Sequence, residues 1–531
     1  MLKITNLRVG IDNKRSIEEL AAKRIGVSVE DIYNCQIIKK SIDARKKQNI
    51  CIVYTLAIDV KNQPKVYKSF LKDKDISILE EPKVEEIYCG NELMKSRPLV
   101  VGAGPAGLFA TYLLAQKGYN PILIERGSCV EKRSLDVERF WQLGQLDVES
   151  NVQFGAGGAG TFSDGKLTTR INDSTIRGIL NILVECGAPS EILYKHKPHI
   201  GTDILKNVVN NLLDRIVLLG GRVEFDTRLD DVIIEHGVLK CAIIKDEKID
   251  VDNMVLAIGH SARDTYKMLL NNNVAMKSKP LAVGVRIEHE QSFINSMQYG
   301  RQAEYMSEAA DYMLTYQDSC SGRGVYSFCM CPGGTVVAST NQNGCVVTNG
   351  MSMHSRDGNL ANSALVVTVN ELDYGEGVLD ALLFQERIEQ AAFVAGGSDY
   401  CAPAQSVKSF LSDAEPSLPE GFASSYLPGV RPVKLSDFLP LYLVESLKRA
   451  LHDFEARMPG FTNSAVLVAP ETRTSAPLRI MRDDESRQSI NVKGLYPTGE
   501  GAGYAGGIIS AAVDGYKTAV TIIKQYAPTD K

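Results

Sequence analysis

The chain has 531 residues, a length that predicts two or three domains rather than one small core. Hydrophobic residues make up 44% and charged residues 23%, as in globular proteins, and the net charge of −5 gives no global sign of a nucleic-acid or membrane partner. No apolar run is long enough to span a bilayer, the start MLKITNLRVG lacks a signal-peptide core, and the 11 cysteines form no paired framework, so we expect a cytoplasmic protein with free thiols.

Residues 1–92 predict a small α+β module. Residues 2–9 alternate like a strand, and residues 16–25 have apolar side chains at helical spacing behind a capping box of Ser16 and Glu19. Further strands are predicted at 32–42, 50–60 and 84–88. A ferredoxin-like fold agrees with this order.

The segment Lys39–Lys47 (KKSIDARKK) is a local cluster of basic residues. Such a cluster is most often a solvated loop between strands. The alternative interpretations are a site for an anionic substrate or for RNA.

Residues 97–127 carry a complete βαβ pattern. An apolar strand at 98–101 is followed by GAGPAG, an apolar helix, a second strand at 121–124 and Glu125. Glycines at this spacing allow a tight turn, close approach of the backbone to a pyrophosphate and close packing of helix on strand. The helix N-terminus offers free N–H groups to the phosphates, and an acid at the end of the second strand can bind ribose hydroxyls. The pattern predicts a dinucleotide site, and Arg126 leaves NADP open.

The next segments predict the rest of this domain. Helices are expected at 133–143 and 203–219, a hairpin turns at Gly237, and an apolar run at 251–258 leads into AIGHS. Between the helices, residues 155–166 (GAGGAGTFSDGK) form a glycine-rich loop, which suits close contact between main chain and a large flat ligand.

Residues 281–480 differ in pattern and predict an inserted, substrate-facing domain. Strands are expected at 281–288, 324–330, 335–339 and 364–369, with a helix at 381–395. The chain then returns to the cofactor domain through the strand, glycine loop and small-residue helix of residues 494–515.

Three separated motifs resemble those of FAD-binding flavoproteins of the glutathione-reductase superfamily. They are GAGPAG with Glu125, VLAIGHS at 255–261, and YPTGEGAGYAGG at 496–507. The whole chain is similar to bacterial proteins described as FAD-dependent dehydrogenases. The resemblance implies an α/β fold: a Rossmann-type FAD domain (93–280 and 481–531), an inserted α+β substrate domain (281–480) and the N-terminal α+β module (1–92).

The resemblance also implies which residues contact FAD, with Arg126 flanking the adenine rather than selecting NADP. The implied contacts are Gly102, Ala103, Gly104, Pro105, Ala106, Glu125, Arg126, Arg133, Gly157, Gly158, Thr161, Leu229, Ile258, Gly259, Gly499, Glu500, Gly507 and Ile508. Ile258 replaces the usual threonine of the family, and Glu500 replaces its aspartate.

Two family features are missing from the sequence. There is no second strand–GxGxxG–helix unit for NAD(P)H and no CxxxxC beside the first motif, so a disulfide reductase is not expected. A nicotinamide cofactor that reduces the flavin would have to visit transiently, or the substrate itself is the hydride donor.

The catalytic residues are not determined by the sequence. Weak candidates are Cys329 and Cys331 in FCMCPGG, His260 and Lys166, and Arg473 is a candidate anion contact. Two packed thiols explain the cysteines as well as a reactive thiolate does. No metal site is expected, because Cys-x-Cys lacks the usual ligand spacing.

The function expected from the motifs is an FAD-dependent oxidoreductase that transfers hydride between an unidentified small molecule and non-covalent FAD. One alternative is an FAD-dependent enzyme that modifies nucleic acid, although the overall negative charge disfavours a nucleic-acid partner. The other is a non-catalytic flavin-binding sensor or scaffold. No membrane partner is expected, and the sequence does not define the substrate or the oligomeric state.

Overall fold

The computed structural model describes residues 1–80 and 86–528. Its first 80 residues form one antiparallel sheet with the strand order β2-β3-β1-β4 and two helices. The elements are β1 (Leu2–Gly10), α1 (Ile17–Ile25), β2 (Ile32–Asp43), β3 (Cys51–Val60), α2 (Gln63–Lys68) and β4 (Ile76–Ile78). This βαββαβ arrangement confirms the ferredoxin-like prediction. The predicted strand at 84–88 lies partly outside the described residues, and residues 86–88 are irregular.

The predicted capping box at the start of α1 is also present. The Ser16 side chain accepts a hydrogen bond from the Glu19 N–H at 3.2 Å, and the Glu19 carboxylate accepts one from the Ser16 N–H at 2.9 Å. Gly26 ends the helix in the left-handed conformation, with a φ of 69°.

The remaining elements follow in two groups. Up to residue 278 they are β5 (Leu99–Val101), α3 (Pro105–Gln116), β6 (Ile122–Ile124), α4 (Val130–Leu143), α5 (Thr175–Glu185), α6 (Thr202–Leu218), β7 (Arg222–Glu224), β8 (Asp231–Glu235), β9 (Val238–Ile244), β10 (Glu247–Asp250), β11 (Met254–Leu256), α7 (Arg263–Asn271) and β12 (Met276–Ser278). From residue 281 they are β13 (Leu281–Glu290), α8 (Gln291–Tyr299), β14 (Thr315–Gln317), β15 (Gly324–Cys331), β16 (Gly334–Ala338), β17 (Thr348–Ser352), β18 (Leu360–Val369), α9 (Glu371–Tyr374), α10 (Asp380–Ala395), β19 (Ala402–Ser406), α11 (Val407–Ser412), β20 (Val430–Pro432), α12 (Leu441–Arg457), β21 (Val466–Glu471), β22 (Leu478–Ile480), β23 (Leu495–Pro497) and α13 (Ile508–Gln525).

A five-stranded parallel sheet of order β23-β11-β5-β6-β7 positions the predicted dinucleotide motifs. Its central strands are buried on both faces. Val100 and Val255 face a core shared with α3, α6 and α13, whereas Leu99 and Met254 face a core shared with α7 and the hairpin sheet β8–β10. Because the strands are parallel, the motifs that follow β5, β6, β11 and β23 meet at one edge.

The chain between β12 and β22 builds a seven-stranded sheet of order β14-β15-β18-β13-β21-β19-β20, antiparallel except for the β19–β20 pair. Helices α8, α10, α11 and α12 pack against it in the largest hydrophobic core. The division into three domains near residues 92, 280 and 480 stays a prediction.

The N-terminal module is docked on the rest of the chain. The Lys40 N–H donates to the Tyr194 carbonyl at 2.7 Å, and the His196 N–H donates to the Lys40 carbonyl at 2.9 Å. Ile50, 2% exposed, belongs to the core of the seven-stranded sheet. Among the described helices, none combines the length and the apolarity that crossing a membrane requires.

Candidate active site

A cavity of about 1990 Å³, called here the main cavity, lies at the motif edge of the parallel sheet. Its wall includes the β5–α3 turn, the glycine-rich loop, strand β15, the loop before α13, and residues 38–39 of the N-terminal module. Drug-sized ligands fill pockets of about 300–1,000 Å³, so this cavity has room for an extended dinucleotide and a second molecule.

The main cavity brings together residues that are far apart in the sequence. All four weak catalytic candidates line it, as do thirteen of the eighteen predicted cofactor contacts. The thirteen are Gly102, Gly104, Pro105, Ala106, Glu125, Arg126, Gly158, Leu229, Ile258, Gly259, Glu500, Gly507 and Ile508. The other five, which do not line it, are Ala103, Arg133, Gly157, Thr161 and Gly499.

The glycines of the first motif are required by close backbone contacts. A Cβ on Gly107 would lie 1.8 Å from the Gly102 carbonyl oxygen, and a Cβ on Gly102 would lie 2.4 Å from the Ala257 oxygen. Gly104 faces the glycine-rich loop, since a Cβ on Gly158 would lie 2.9 Å from the Gly104 Cα. Two stretches of bare backbone thus face each other at the N-terminus of α3, an arrangement that suits a phosphate group.

Glu125 binds backbone in this structure. Its carboxylate is buried and accepts hydrogen bonds from the N–H groups of Ala103 at 2.7 Å and of Gly127 and Gly155 at 2.9 Å. A carboxylate offers about four acceptor positions, so three of them are used here. The contact to a ribose hydroxyl therefore stays a prediction.

Arg126 is held by acidic partners. Its guanidinium makes a bidentate pair with Asp264 at 2.9 Å, donates to Glu149 at 2.8 Å and lies 4.1 Å over the Phe154 ring. With two carboxylates already bound, this arginine is poorly suited to a 2′-phosphate, and its place beside adenine stays a prediction.

Arg133 has a different role from the predicted cofactor contact. The side chain is fully buried and donates to the carbonyls of Asn151, Val152 and Ala156 at 2.6–3.0 Å. All of these acceptors belong to the segment that leads into the glycine-rich loop. Arg133 therefore positions that loop from behind.

Ala103, Gly157 and Thr161 also lie behind the cavity surface. The Gly157 N–H donates to the Ala103 carbonyl at 2.8 Å, and the Thr161 hydroxyl donates to the Ala156 carbonyl at 3.1 Å. The first bond joins the two glycine segments and the second closes the glycine-rich loop on itself, so the three residues support the cavity wall from behind.

The second glycine motif places another helix N-terminus in the cavity. A Cβ on Gly506 or Gly507 would meet nothing within 4 Å, so the backbone at the start of α13 faces open space. Gly499, by contrast, lies behind this surface, where its N–H donates to Asp514 at 2.7 Å.

Glu500 and His260 form a pair beside the start of α13. The His260 Nδ1 lies 3.0 Å from the Glu500 carboxylate. Burial alone would raise the pKa of Glu500, but the neighbouring His260 keeps this pKa below its ordinary value. His260 therefore holds the Glu500 carboxylate in place, and the contact of Glu500 with ribityl hydroxyls stays a prediction.

The two candidate thiols are not prepared for nucleophilic attack. The Cys329 side chain is accessible from the cavity, but the surrounding protein shields its thiol from bulk solvent. This desolvation raises the pKa of the thiol to about 12. The Cys331 thiol is buried, its pKa is raised for the same reason, and it donates to the Cys329 carbonyl at 3.2 Å. Both thiols are therefore protonated near neutral pH, which argues against the reactive-thiolate interpretation.

Lys166 connects the glycine-rich loop to the seven-stranded sheet. Its ammonium donates to the Met330 carbonyl on β15 and lies 3.6 Å from Asp164, which itself binds Arg356. Lys166 is thus a link between two walls of the cavity, with part of its surface open to a ligand.

Arg473 belongs to a buried charge network that the sequence did not reveal. Glu389, fully buried, accepts bidentate hydrogen bonds from Arg263 at 2.8 and 2.9 Å and also binds Arg473 at 2.8 and 3.1 Å. The network joins α7, α10 and the segment after β21. Its members are distant in the chain, so no local pattern could have found it.

Two of the five basic side chains in segment 39–47 have acidic partners. Arg45 pairs with Asp43 at 2.7 Å, and Lys40 lies 3.8 Å from Glu308. Lys39 lines the main cavity. The RNA interpretation of this segment therefore stays a prediction.

Comparisons with known proteins agree with this geometry. A family model described as "FAD-dependent protein, C-terminal domain-like" matches residues 280–474, an NAD(P)-binding Rossmann-like model matches residues 100–134, and a domain of unknown function matches residues 1–59.

A similar chain spans the full length. An uncharacterized protein of Clostridium beijerinckii is 48% identical over 529 residues, which cover 99% of both chains. Among solved structures, an L-amino acid deaminase from Proteus vulgaris with its insertion sequence deleted is 10% identical, with 84% of this chain and 94% of that chain covered and a TM-score of 0.34. A glycine oxidase from Bacillus cereus is 10% identical, with 81% and 97% covered and a TM-score of 0.31.

Proposed function

We propose that this chain, which belongs to the same family as the Clostridium beijerinckii protein, is an FAD-dependent oxidoreductase that acts on a small molecule in the main cavity. The observation that carries the proposal is that the N-termini of α3 and α13 and the strand β15 all line one cavity.

The residues present fit FAD. Bare backbone at Gly104 and Gly158 allows a pyrophosphate to approach the N-terminus of α3, and no side chain occupies the space at Gly507. Arg126 on Phe154 offers a flat surface for adenine, and Glu500 offers acceptors for hydroxyls. FAD, when bound, supplies two-electron redox chemistry by hydride transfer.

The protein residues would orient the substrate and limit access of water. The N-terminal module and residues 194–198 border the opening, while Tyr326, Phe328 and Cys329 on β15 face the cavity. Because the cavity thiols are protonated, we assign the redox step to the cofactor and no covalent step to cysteine.

The first test is whether the purified full-length chain carries FAD. We expect a visible flavin spectrum, and FAD as the compound released on denaturation. In G158A, the added methyl would lie against the Gly104 backbone, so we expect at least tenfold weaker FAD binding. The control is G178A, an exposed position in α5 with free space around it, which should bind FAD like the wild type. A colourless wild-type protein that takes up no added FAD would disprove the proposal.

The second test separates an enzyme from a flavin-binding scaffold. The FAD-loaded protein is mixed anaerobically with NADH, NADPH and a panel of small metabolites, and bleaching of the flavin band is followed. Reduction by at least one of these compounds is expected. A protein that binds FAD but is reduced by none of them would contradict the enzymatic proposal while leaving the cofactor assignment intact.

A further inference from the structure

The main cavity is much more positive than the protein as a whole. The chain has a net charge of −5, yet the cavity wall carries ten Lys or Arg residues and five Asp or Glu residues. Acids behind the wall neutralise several of these cations: Arg126 binds Glu149 and Asp264, and Arg473 binds Glu389. The positive charge available to an anionic ligand therefore comes from the cations that lack such a partner.

Part of this charge lies at the cavity mouth, defined by the exposed residues Lys39, Arg170, His196 and Lys197. Lys197 is neutralised by Asp311 at 2.7 Å. Lys39 and Arg170 make no ion pair with any residue in the described ranges.

These cations lie close enough to His196 and Tyr326 to shift the pKa values of both side chains. Burial and the nearby Lys39 and Lys197 lower the pKa of His196, so this imidazole is neutral at neutral pH. Burial raises the pKa of Tyr326, and the nearby Arg170 partly opposes that effect. Arg170 is thus close to β15, and Lys39 is close to the segment on which the N-terminal module docks.

The wall next to these cations is aromatic. Tyr326 and Phe328 alternate along β15 and therefore share one face, with ring centroids 6.5 Å apart in an edge-to-face arrangement. Phe328 is 38% exposed although it lines a cavity. An exposed aromatic ring inside a concave site is typical of a surface that contacts a flat or apolar ligand.

We propose that the main cavity takes, beside FAD, a small organic anion with an aromatic body, whose carboxylate or phosphate binds Lys39 and Arg170 while its apolar part packs on Tyr326 and Phe328. This inference rests on the proposed function and names the substrate class of the same site. It gives the N-terminal module a role, because Lys39 is the contribution of strand β2 to substrate recognition.

The test measures binding to the full-length, FAD-loaded protein by titration calorimetry. The probes are 2-naphthoate, 2-naphthyl phosphate and the uncharged 2-naphthamide. We expect at least one anion to bind about tenfold or more tightly than the amide, and the better anion distinguishes a carboxylate site from a phosphate site. In K39A and R170Q the better anion should bind about tenfold more weakly, since a hydrogen bond to a charged group is lost, whereas binding of the amide should stay the same.

The controls are K46A and R139Q. Lys46 is an exposed lysine of the same basic segment and Arg139 an exposed arginine of α4, and neither lines the main cavity. Both variants should bind the anion like the wild type. Equal affinities for anion and amide, or equal losses in K39A and K46A, would overturn the inference.

Two other outcomes would also decide the question. In one outcome, a single-stranded RNA oligonucleotide binds more tightly than either anion, and K46A lowers the affinity for RNA as much as K39A does. This result would show that the ligand is nucleic acid and not a small anion. The flavin spectrum of each sample is recorded alongside. Absence of FAD from the wild type sinks the proposed function, whereas bound FAD without selectivity for the anion sinks this inference alone.

Discussion

Single residues behind the cavity surface determine its shape, and Arg133 is the clearest case. A fully buried guanidinium that donates to three carbonyls replaces the water that those carbonyls would otherwise bind. The sequence alone does not show this structural role, because an arginine on a helix near a glycine-rich loop could equally contact a ligand.

We expect R133M to destabilise the fold and weaken FAD binding. Methionine fills similar space but donates no hydrogen bond, so three buried carbonyls lose their partner, and the free energy of unfolding should fall by about 3–5 kcal/mol. Urea unfolding and FAD titration measure the two effects. R139M, at an exposed position of the same helix, is the control; it loses only the 3.7 Å ion pair with Asp136 and should change neither by more than about 1 kcal/mol.

Glu389 makes a testable contribution to acid stability. Burial alone would raise its pKa, but the guanidiniums of Arg263 and Arg473 outweigh that effect and lower it to about 2. Since the folded pKa lies below the ordinary 4.5, this contribution to stability is complete above pH 4.5 and is lost as the pH falls toward 2. E389Q should cost about 3–5 kcal/mol at neutral pH, because two buried arginines lose their carboxylate.

The pH profile distinguishes this charge effect from a packing defect. The free energy of unfolding of E389Q should fall less steeply than that of the wild type between pH 4.5 and 2, in a series of denaturant titrations. E386Q, one turn earlier on α10 and half-buried, serves as the control and should keep the wild-type profile. Parallel profiles for the wild type and E389Q would show that Glu389 is not the titrating group.

At the level of elements, α13 is fixed to the cofactor motifs by one carboxylate. Asp514 accepts hydrogen bonds from Arg482 at 2.8 and 2.9 Å and from the Gly499 N–H at 2.7 Å, and it also binds Arg487. The helix and the loop in front of it are therefore held in one position. Gly515 allows the same helix to approach α3, since a Cβ there would lie 1.9 Å from the Ala106 carbonyl oxygen.

D514N should loosen this loop without unfolding the sheet. An amide cannot make the charged bidentate pair with Arg482, so we expect FAD to bind about tenfold more weakly and the melting temperature to fall by several degrees. Equilibrium dialysis with FAD and thermal unfolding measure the two changes. The control is D484N. Asp484 is exposed and lies between Arg482 and Arg487, and this variant should bind FAD like the wild type. Wild-type affinity in D514N would mean that the loop holds its position without this anchor.

Elements were predictable where the signal is local. The β5–α3 turn is specified by glycines within six residues, and strands β13, β15 and β18 by continuous apolar runs, so the sequence located them. Helix α12 was missed although Leu443, Leu447, Leu451 and Phe454 have helical spacing. Short strands such as β20 have no local pattern at all and exist because a neighbouring strand pairs with them.

Like the elements, the site was predictable from the sequence only where it depends on a local pattern. The glycine motifs are local patterns that the sequence shows directly, and most of their residues line the main cavity. Pairs such as Arg263 with Glu389 and Arg286 with Glu471 join side chains more than a hundred residues apart. Only the folded topology brings them together, so the charges that surround the site could not be derived from the sequence.

On the scale of the whole molecule, the N-terminal module is part of the body and not a separate appendage. Ile50 is buried among the residues of the large core, and its N–H donates to the Gln302 side chain at 3.2 Å. Two backbone hydrogen bonds join Lys40 to residues 194 and 196 at the cavity mouth. The module and the body should therefore unfold together.

We expect one unfolding transition in calorimetry of the wild type and two in I50D, because a carboxylate at this buried position would separate the module from the large core. Detachment also removes Lys39 from the cavity mouth, so I50D should bind the better of the two naphthyl anions as weakly as K39A while it retains FAD. I78D is the matched control, since Ile78 is 52% exposed on strand β4. If I50D unfolds in a single transition with wild-type affinity for the anion, the docked module makes no contribution to recognition.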